Sequence, residues 1–236
     1  MFIVKDDSYK LIGADPASTL SPKLDPGTYV LTVHRSMFET HFEFTKTTVY
    51  EKGLVVKSGV YGEIWEKVDM FISDEMSEAR NLMGAMNKMG MLFAGKPGTG
   101  KTFLAGQIGK YIREQRKDAI TIIVNNWSEI NIPSLIDDIR EYAKDQHLIL
   151  ILDEFEKVSH AGVFNNPDLL SFLDGGKSKN NTLIIATVND KSKLPATLLD
   201  RPGRFELVIE FKNQDIVYKG IIEEMFPEEY KTMDIV

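Results

Sequence analysis

Apolar and polar positions divide the chain into two parts with different patterns. In residues 1–60, apolar and polar side chains alternate in "GTYVLTVHR" and again in "HFEFTKTTVY", which is the two-residue period of β-strands. The segment "ADPASTLSPKLDPG" contains three prolines and favours a loop. We therefore predict a small, mostly β N-terminal domain over residues 1–60.

From about residue 61 onward, short apolar segments alternate with segments of helical period. The predicted strands span residues 91–95, 120–125, 148–153, 182–188 and 207–211. The predicted helices span residues 101–116, 133–145 and 167–174. An earlier helix is predicted to begin at Ser73 or Asp74 and to continue through Met83, Met86 and Met89, which we expect in the core. Strands that are apolar on both faces and separated by helices predict a parallel sheet covered by helices on both sides. The predicted fold class is therefore α/β.

Composition narrows the classes of function. The chain has 236 residues, a net charge of −7 and no cysteine. An acidic chain is a poor candidate for nonspecific binding to nucleic acid or anionic membranes, although a local basic groove is not excluded. The missing cysteines exclude disulfides, cysteine nucleophiles and thiolate metal sites. The start "MFIVKDDSYK" has acids where a signal peptide has basic residues, and no apolar run approaches the roughly 20 residues of a membrane span, so we expect a cytoplasmic location.

The segment "GKPGTGKT", residues 95–102, fits the phosphate-binding pattern G-x-x-x-x-G-K-[ST] at every fixed position. It follows a predicted strand and precedes a predicted helix, which is the context that this pattern needs. Glycines let backbone N–H groups converge on phosphate oxygens, and the helix start aims its positive end at the same anion. We expect Lys101 to reach the β- and γ-phosphates of ATP, and the Thr102 hydroxyl to ligate Mg²⁺. The nucleotide-binding residues predicted from this segment are Pro97, Gly98, Thr99, Gly100, Lys101, Thr102 and Phe103.

A second candidate site is the acidic end of the apolar strand in "LILILDEFE", residues 148–156. Asp153 at the strand end is placed to hold Mg²⁺, as the acid of a Walker B motif does. The next residue, Glu154, is a candidate to polarise the attacking water, which hydrolysis requires and phosphate binding alone does not. The alternative is that these acids only cap the following turn.

A third polar group ends the apolar strand in "TLIIATVND", where Asn189 follows residue 188. If this strand lies beside the one that ends at Asp153, the Asn189 amide can contact the γ-phosphate or orient the water. An Asn-Asp pair after a strand is otherwise typical of an ordinary turn.

Two arginines stand close together in "LLDRPGRFE", residues 198–206. The proline and glycine between Arg201 and Arg204 favour a turn that displays both guanidinium groups. One interpretation is that they bind an anion, because a planar, permanently charged fork suits phosphate oxygens. The alternative is a structural salt bridge to Asp200 or Glu206.

In chain order, the phosphate-binding segment, "LDE", "ATVN" and "LLDRPGRFE" resemble the AAA+ ATPases, and specifically the AAA clade with its second region of homology. The resemblance covers about residues 61–225. It implies an AAA+ α/β ATPase core of the P-loop NTPase type over residues 61–211. It also implies a ring, usually a hexamer, with ATP between subunits. In such a ring Asn189 would be sensor 1, and Arg201 and Arg204 would reach the ATP of the neighbouring subunit. The catalytic residues predicted in this way are Lys101, Glu154, Asn189, Arg201 and Arg204.

The chain departs from the family pattern in two places. Members that thread protein through a ring carry an aromatic-hydrophobic-glycine loop after the second strand, whereas the corresponding residues 125–138 contain only Trp127 as an aromatic. The family places a four-helix lid after the core, and for residues 212–236 we predict only the start of a truncated or minimal lid. The alternative is that a partner or a further C-terminal segment completes it. At the start of the core, Tyr61 and Gly62 lie where the family builds its adenine pocket, and a strand-end turn is the alternative for them.

We therefore expect an ATPase with ATP and Mg²⁺ as its substrate and cofactor. The favoured function is a homo-oligomeric ring that remodels or assembles a protein partner recruited by the N-terminal β segment. Alternatives are a nucleic-acid-directed regulator or helicase loader, supported only by the lysines of "GGKSKNN" and "NDKSK", and an ATP-gated scaffold with little turnover.

Overall fold

One mixed β-sheet runs through the part of the chain that the structure, a computed structural model, describes. That part comprises residues 2–5, 8–11, 20–21, 24–35, 40–49, 55, 57, 61–125, 132–142, 146–157, 167–174, 180–201 and 203–211. Its strands are β1 (Phe2–Lys5), β2 (Ser8–Leu11), β3 (Leu20–Ser21), β4 (Gly27–Arg35), β5 (Thr40–Lys46), β6 (Lys88–Gly95), β7 (Ile120–Val124), β8 (Leu148–Leu152), β9 (Thr182–Val188) and β10 (Leu207–Phe211). The predicted α/β class is confirmed.

The sheet has a parallel part and an antiparallel part. The order of its strands in the described residues is β10-β6-β9-β8-β7-β4-β5-β2-β1-β3. Neighbours from β10 to β4 are parallel, and those from β4 to β3 are antiparallel. Because parallel strands all end at one edge, the residues that follow β6, β8 and β9 lie side by side.

Helices cover both faces of the parallel part. They are α1 (Gly62–Ile72), α2 (Asp74–Leu82), α3 (Lys101–Gln115), α4 (Ile132–Tyr142), α5 (Pro167–Leu173) and α6 (Ala196–Leu199). Successive side chains of β8 point to opposite faces of the sheet, so this strand contributes to two hydrophobic cores. Leu148, Leu150 and Leu152 pack with α4 and α5 on one face, whereas Ile149 and Ile151 pack with α1 and α3 on the other.

The N-terminal strands continue the sheet. β4 pairs in parallel with β7 over Gly27–Leu31 and Ile120–Val124, and β5, β2, β1 and β3 follow in antiparallel order. The β character predicted for residues 1–60 therefore agrees with the described strands, and its separation into a domain of its own stays a prediction. The lid predicted over residues 212–236 lies outside the described residues, as does Trp127.

The first helical region differs from the prediction. The Ser73 hydroxyl accepts a hydrogen bond from the Met76 N–H, so it caps α2 as expected. However, α2 ends at Leu82, and the side chains of Met83 and Met86 are exposed. Their predicted place in the core is wrong, because the turn at residues 83–84 precedes β6, which begins at Lys88. Met89, the third methionine of that prediction, is buried, but in β6 and not in a helix. The sequence pattern also missed α1, whose apolar face is buried against the sheet.

None of the helices in the described ranges is both long and apolar enough to cross a membrane.

The loop that carries the arginines packs directly on the backbone of β6. The Glu206 N–H donates to the Gly90 carbonyl oxygen at 2.9 Å. A Cβ atom at Gly90 would lie 2.1 Å from the carbonyl oxygen of Arg204. Glycine is therefore required at this strand position for the close approach of the loop.

We predict that Gly90→Ala lowers the free energy of unfolding by about 1–3 kcal/mol, because either the loop or β6 has to move to admit the new methyl group. The matched control is Gly62→Ala at the first position of α1, where a Cβ atom would have no neighbour within 4 Å. Denaturant unfolding of both variants measures the difference. Equal stabilities of the two variants would contradict the close approach.

Candidate active site

The segment between β6 and α3 forms a glycine-rich loop at the carboxyl edge of the sheet. Gly98 and Gly100 have φ angles of 79° and 90°, which lie in the left-handed region that favours glycine. Gly100 is also the N-cap residue of α3, and it has no side chain to cap the helix. The first N–H groups of α3 are therefore available for an anion, which the helix dipole also attracts.

The ammonium group of Lys101 lies against the backbone at the start of this loop. It donates to the carbonyl oxygen of Lys96 at 2.9 Å, to that of Gly95, and to the side-chain oxygen of Asn189 at 3.1 Å. Burial lowers the pKa of Lys101, and the neighbouring carboxylates act in the opposite direction. These contacts connect the predicted phosphate-binding lysine of α3 with the polar end of β9.

A short chain of hydrogen bonds joins α3 to the ends of β8 and β9. The Thr102 hydroxyl donates to the Asp153 carboxylate at 2.7 Å, and the Thr187 hydroxyl donates to the same oxygen at 2.6 Å. The Thr187 oxygen in turn accepts from the backbone N–H of Glu154 at 3.0 Å. This chain fixes both predicted acids relative to the glycine-rich loop.

The carboxylate of Glu154 has two partners. One oxygen lies 3.4 Å from the Asn189 amide nitrogen, and the other forms an ion pair with Lys157. Glu154 has a φ of 51°, a left-handed conformation that a side chain like glutamate adopts only where its surroundings hold it. The hydrogen bond to Thr187 is one such restraint.

The Asn189 amide lies between the predicted lysine and the predicted base. Its oxygen accepts from Lys101 and its nitrogen is directed at Glu154. The Asn189 backbone N–H donates to the Glu156 carboxylate at 2.8 Å. Asn189 is therefore held by its backbone while its amide faces the site.

These groups surround a cavity of about 330 Å³. The predicted residues that line it are Pro97, Gly98, Gly100, Lys101, Thr102, Phe103, Asp153, Glu154 and Asn189. Thr99 instead is buried, with its hydroxyl donating to the Lys96 carbonyl oxygen at 2.8 Å. The structure thus brings the three motifs of the strand ends together in one place.

Tyr61 and Gly62 are not among the residues that line this cavity. The Tyr61 ring is buried and stacks on Phe211, with the ring centroids 5.2 Å apart. Gly62 is the first residue of α1. Contact of these two residues with adenine stays a prediction.

The two predicted arginines also lie outside the cavity lining, and they differ from each other. The side chain of Arg201 is 63% exposed, whereas that of Arg204 is 3% exposed. Both guanidinium groups contact the carboxylate of Asp174 at the end of α5, and not Asp200 or Glu206 as the salt-bridge alternative supposed. Their action at a neighbouring ATP site stays a prediction.

Sequence reasoning missed two residues of the site. Thr187 also lines the cavity, and the Glu156 carboxylate accepts a hydrogen bond from the Asn189 N–H. The available signal for Thr187 was a hydroxyl in the otherwise apolar segment "LIIATV" one position before the strand end. Glu156 gave no comparable signal, because its partner is distant in sequence.

Comparison with known proteins agrees with this geometry. The model of the ATPase family associated with various cellular activities (AAA) matches residues 91–213, which is more than half of the chain. The chain belongs to the AAA family of ATPases. Membership of this family, within the AAA+ superfamily, indicates ATP hydrolysis as the activity of this AAA protein.

Individual AAA relatives include vesicle-fusing ATPases. The chain is 37% identical over 153 residues to the vesicle-fusing ATPase of Dictyostelium discoideum, covering 56% of this chain and 21% of the relative. It is 34% identical over 153 residues to the vesicular-fusion protein SEC18 of Saccharomyces cerevisiae, covering 56% and 20%. It is 28% identical over 191 residues to the ATP-dependent zinc metalloprotease FtsH of Borreliella burgdorferi, covering 74% and 29%. The chain thus spans about a fifth of the length of the vesicle-fusion relatives.

AAA ATPases typically bind their nucleotide with Mg²⁺, and the residues of the cavity fit that ion. The Thr102 hydroxyl and the Asp153 carboxylate are hard oxygen donors that lie 2.7 Å apart on the cavity wall. We therefore assign these two residues as the ones that would hold Mg²⁺. When bound, the ion neutralises charge on the phosphate oxygens.

We predict that Thr187→Val lowers the kcat for ATP hydrolysis by about 10- to 100-fold. The substitution keeps the side-chain shape but removes the hydroxyl that fixes Asp153 and the backbone of Glu154, and a hydrogen bond to a charged group contributes about 1.5–3 kcal/mol. Thr187→Ser keeps the hydroxyl and should retain most of the activity. Steady-state ATP turnover of the two variants, with melting temperatures as a check on folding, measures the effect. Wild-type turnover of the valine variant would show that the hydroxyl is dispensable.

Proposed function

We propose that this AAA protein hydrolyses ATP as a homo-oligomeric ring, with a hexamer favoured, and uses the energy to remodel or assemble a protein partner. The observation that carries the proposal is the separation of the predicted catalytic groups. Lys101, Glu154 and Asn189 face the cavity, whereas Arg201 is exposed outside its lining. An ATP site that needs Arg201 must therefore obtain it from a second copy of the chain.

Within one chain, the cavity residues have distinct roles in the proposal. The glycine-rich loop and Lys101 bind the β- and γ-phosphates, with Thr102 and Asp153 as the Mg²⁺ ligands. Glu154 accepts a proton from the water that attacks the γ-phosphorus, because its carboxylate faces the cavity beside the phosphate-binding loop. Asn189 donates its amide N–H towards the same carboxylate and keeps it directed at the water.

The second copy supplies positive charge to the γ-phosphate. The transition state of phosphoryl transfer spreads negative charge over the equatorial oxygens, and a guanidinium fork binds two of them at once. An arginine supplied in this way contributes about 10³- to 10⁵-fold in rate in other NTPases. Arg201 is the better candidate, because the guanidinium of Arg204 is buried in its own chain.

A protein is the proposed partner of the ring. Relatives named for vesicle fusion support a protein-directed role, and the N-terminal strands are the proposed recruiting segment. The nucleic-acid alternative is weaker, because Lys191 of the "NDKSK" segment pairs with Glu210 at 3.3 Å. Most of the other lysine-containing segment, "GGKSKNN", lies outside the described residues. The cytoplasmic location expected from the sequence stays an expectation.

We predict that Glu154→Gln and Arg201→Ala both bind ATP but turn it over slowly. The first loses the proton acceptor, which contributes about 10²- to 10⁴-fold. The second loses the arginine from the neighbouring site, at about 10³- to 10⁵-fold. Lys193→Ala is the control, because Lys193 is an exposed cation on a nearby turn. Phosphate release and equilibrium nucleotide binding, measured at one protein concentration, separate turnover from affinity.

The outcomes distinguish the alternatives. Full turnover of Arg201→Ala would contradict the arginine in trans while leaving the ATPase assignment intact. Full turnover of Glu154→Gln would contradict the assigned base. ATP binding by the wild-type chain without turnover would favour the ATP-gated scaffold.

A further inference from the structure

We propose that Lys157 is a positioning residue for ATP hydrolysis: its ammonium group holds the carboxylate of Glu154 in place on the cavity wall. This inference rests on the proposed role of Glu154 as the group that accepts a proton from the attacking water. It assigns a role to a lysine that does not itself line the cavity.

Lys157 is bonded to Glu154 at two points. Its backbone N–H donates to the Glu154 carbonyl oxygen at 2.8 Å, which closes the turn that follows β8. Its ammonium group forms an ion pair with the Glu154 carboxylate. The backbone bond restrains a residue whose φ of 51° is left-handed, a conformation that a glutamate adopts only where its surroundings hold it. The ion pair extends this restraint from the backbone to the side chain.

Lys157 and Asn189 contact different oxygens of the Glu154 carboxylate. The Asn189 amide nitrogen lies 3.4 Å from Oε1, whereas the Lys157 ammonium contacts Oε2. Because a carboxylate is planar, contacts at both oxygens fix its rotation, and a contact at one oxygen alone leaves it free to turn. The Asn189 contact is longer than an ordinary hydrogen bond. Lys157 therefore provides the closer of the two contacts that orient the proposed base.

The positive charge of Lys157 suits this position. Hydrogen bonding to Glu154 raises the pKa of Lys157, so the ammonium group keeps its charge at neutral pH. Phosphate groups that enter the cavity bring negative charge close to the Glu154 carboxylate, which lines the same cavity, and repel it. A cation bound to that carboxylate offsets part of the repulsion. Since the Lys157 side chain is 65% exposed, solvent limits the contact to the strength of a surface ion pair.

Lys157→Met tests the ammonium group, because it keeps most of the side-chain length and leaves the backbone bond in place. We expect kcat for ATP hydrolysis to fall about three- to fivefold with little change in KM, which is within the range of an exposed ion pair. Lys157→Arg keeps the charge and should retain most of the turnover. Lys193→Met is the matched control, because it removes an exposed lysine from the turn after β9 and should leave kcat unchanged. Melting temperatures establish that the variants are folded.

The Glu154→Gln background shows whether Lys157 acts through the carboxylate. We expect Lys157→Met to cause no further loss there in single-turnover measurements. A carbodiimide, which joins an ion-paired ammonium and carboxylate as an amide with loss of one water, gives a readout independent of turnover. We expect mass spectrometry to detect a link between Lys157 and Glu154 without nucleotide and also with Mg²⁺ and a slowly hydrolysed ATP analogue, and to detect none in Lys157→Met.

The positioning role is wrong if Lys157→Met has the wild-type kcat, or if it lowers kcat by the same factor in the Glu154→Gln background. A higher kcat in Lys157→Met would show that the ion pair restrains the base, which is the opposite role. Absence of the link without nucleotide, or its loss when the ATP analogue binds, would show that the pair does not persist until hydrolysis. These results leave the proposed function intact as long as Glu154→Gln is slow. Full turnover of Glu154→Gln removes the proposed base and the role of Lys157 together.

Discussion

The site depends on a single hydroxyl, that of Thr187, which joins the ends of two parallel strands. It donates to Asp153 and accepts from the backbone N–H of Glu154, and Thr102 approaches the same carboxylate from α3. Without this chain of hydrogen bonds, the left-handed backbone of Glu154 would have no described partner in β9 to stabilise it. The distance between the phosphate-binding loop and the proposed base is therefore set by the pairing of β8 and β9, and not by the loop alone.

A second arrangement separates the arginines from the cavity. The parallel sheet brings the ends of β6, β8 and β9 to one edge, whereas the arginine loop packs on the backbone at Gly90 in β6 and on Asp174. One AAA chain thus has most of an ATPase site on one surface. In our proposal, the guanidinium group of Arg201 lies on another surface and completes the site of a second copy. The carboxylate of Asp174 contacts both guanidinium groups and so connects the arginine loop to the end of α5.

Much of this arrangement could be predicted from the sequence, for a physical reason. The glycine-rich loop, the fully apolar strands and the polar residues that end them are local patterns, and β7, β8, β9 and β10 lie within a residue of the predicted bounds. What was missed depends on contacts between distant segments. The partnership of Asp174 with Arg204, the parallel pairing of β4 with β7, and the exposure of Met83 beyond α2 are not encoded in any spacing. Helical period alone could not show that the chain turns before β6.

The central claim is that ATP hydrolysis needs a second copy of the chain. ATP turnover per chain, measured over a dilution series together with the mass of the assemblies, tests it most directly. The account predicts that turnover per chain falls in step with dissociation, while each separated chain still binds ATP. Constant turnover per chain in samples that contain only monomers would contradict it.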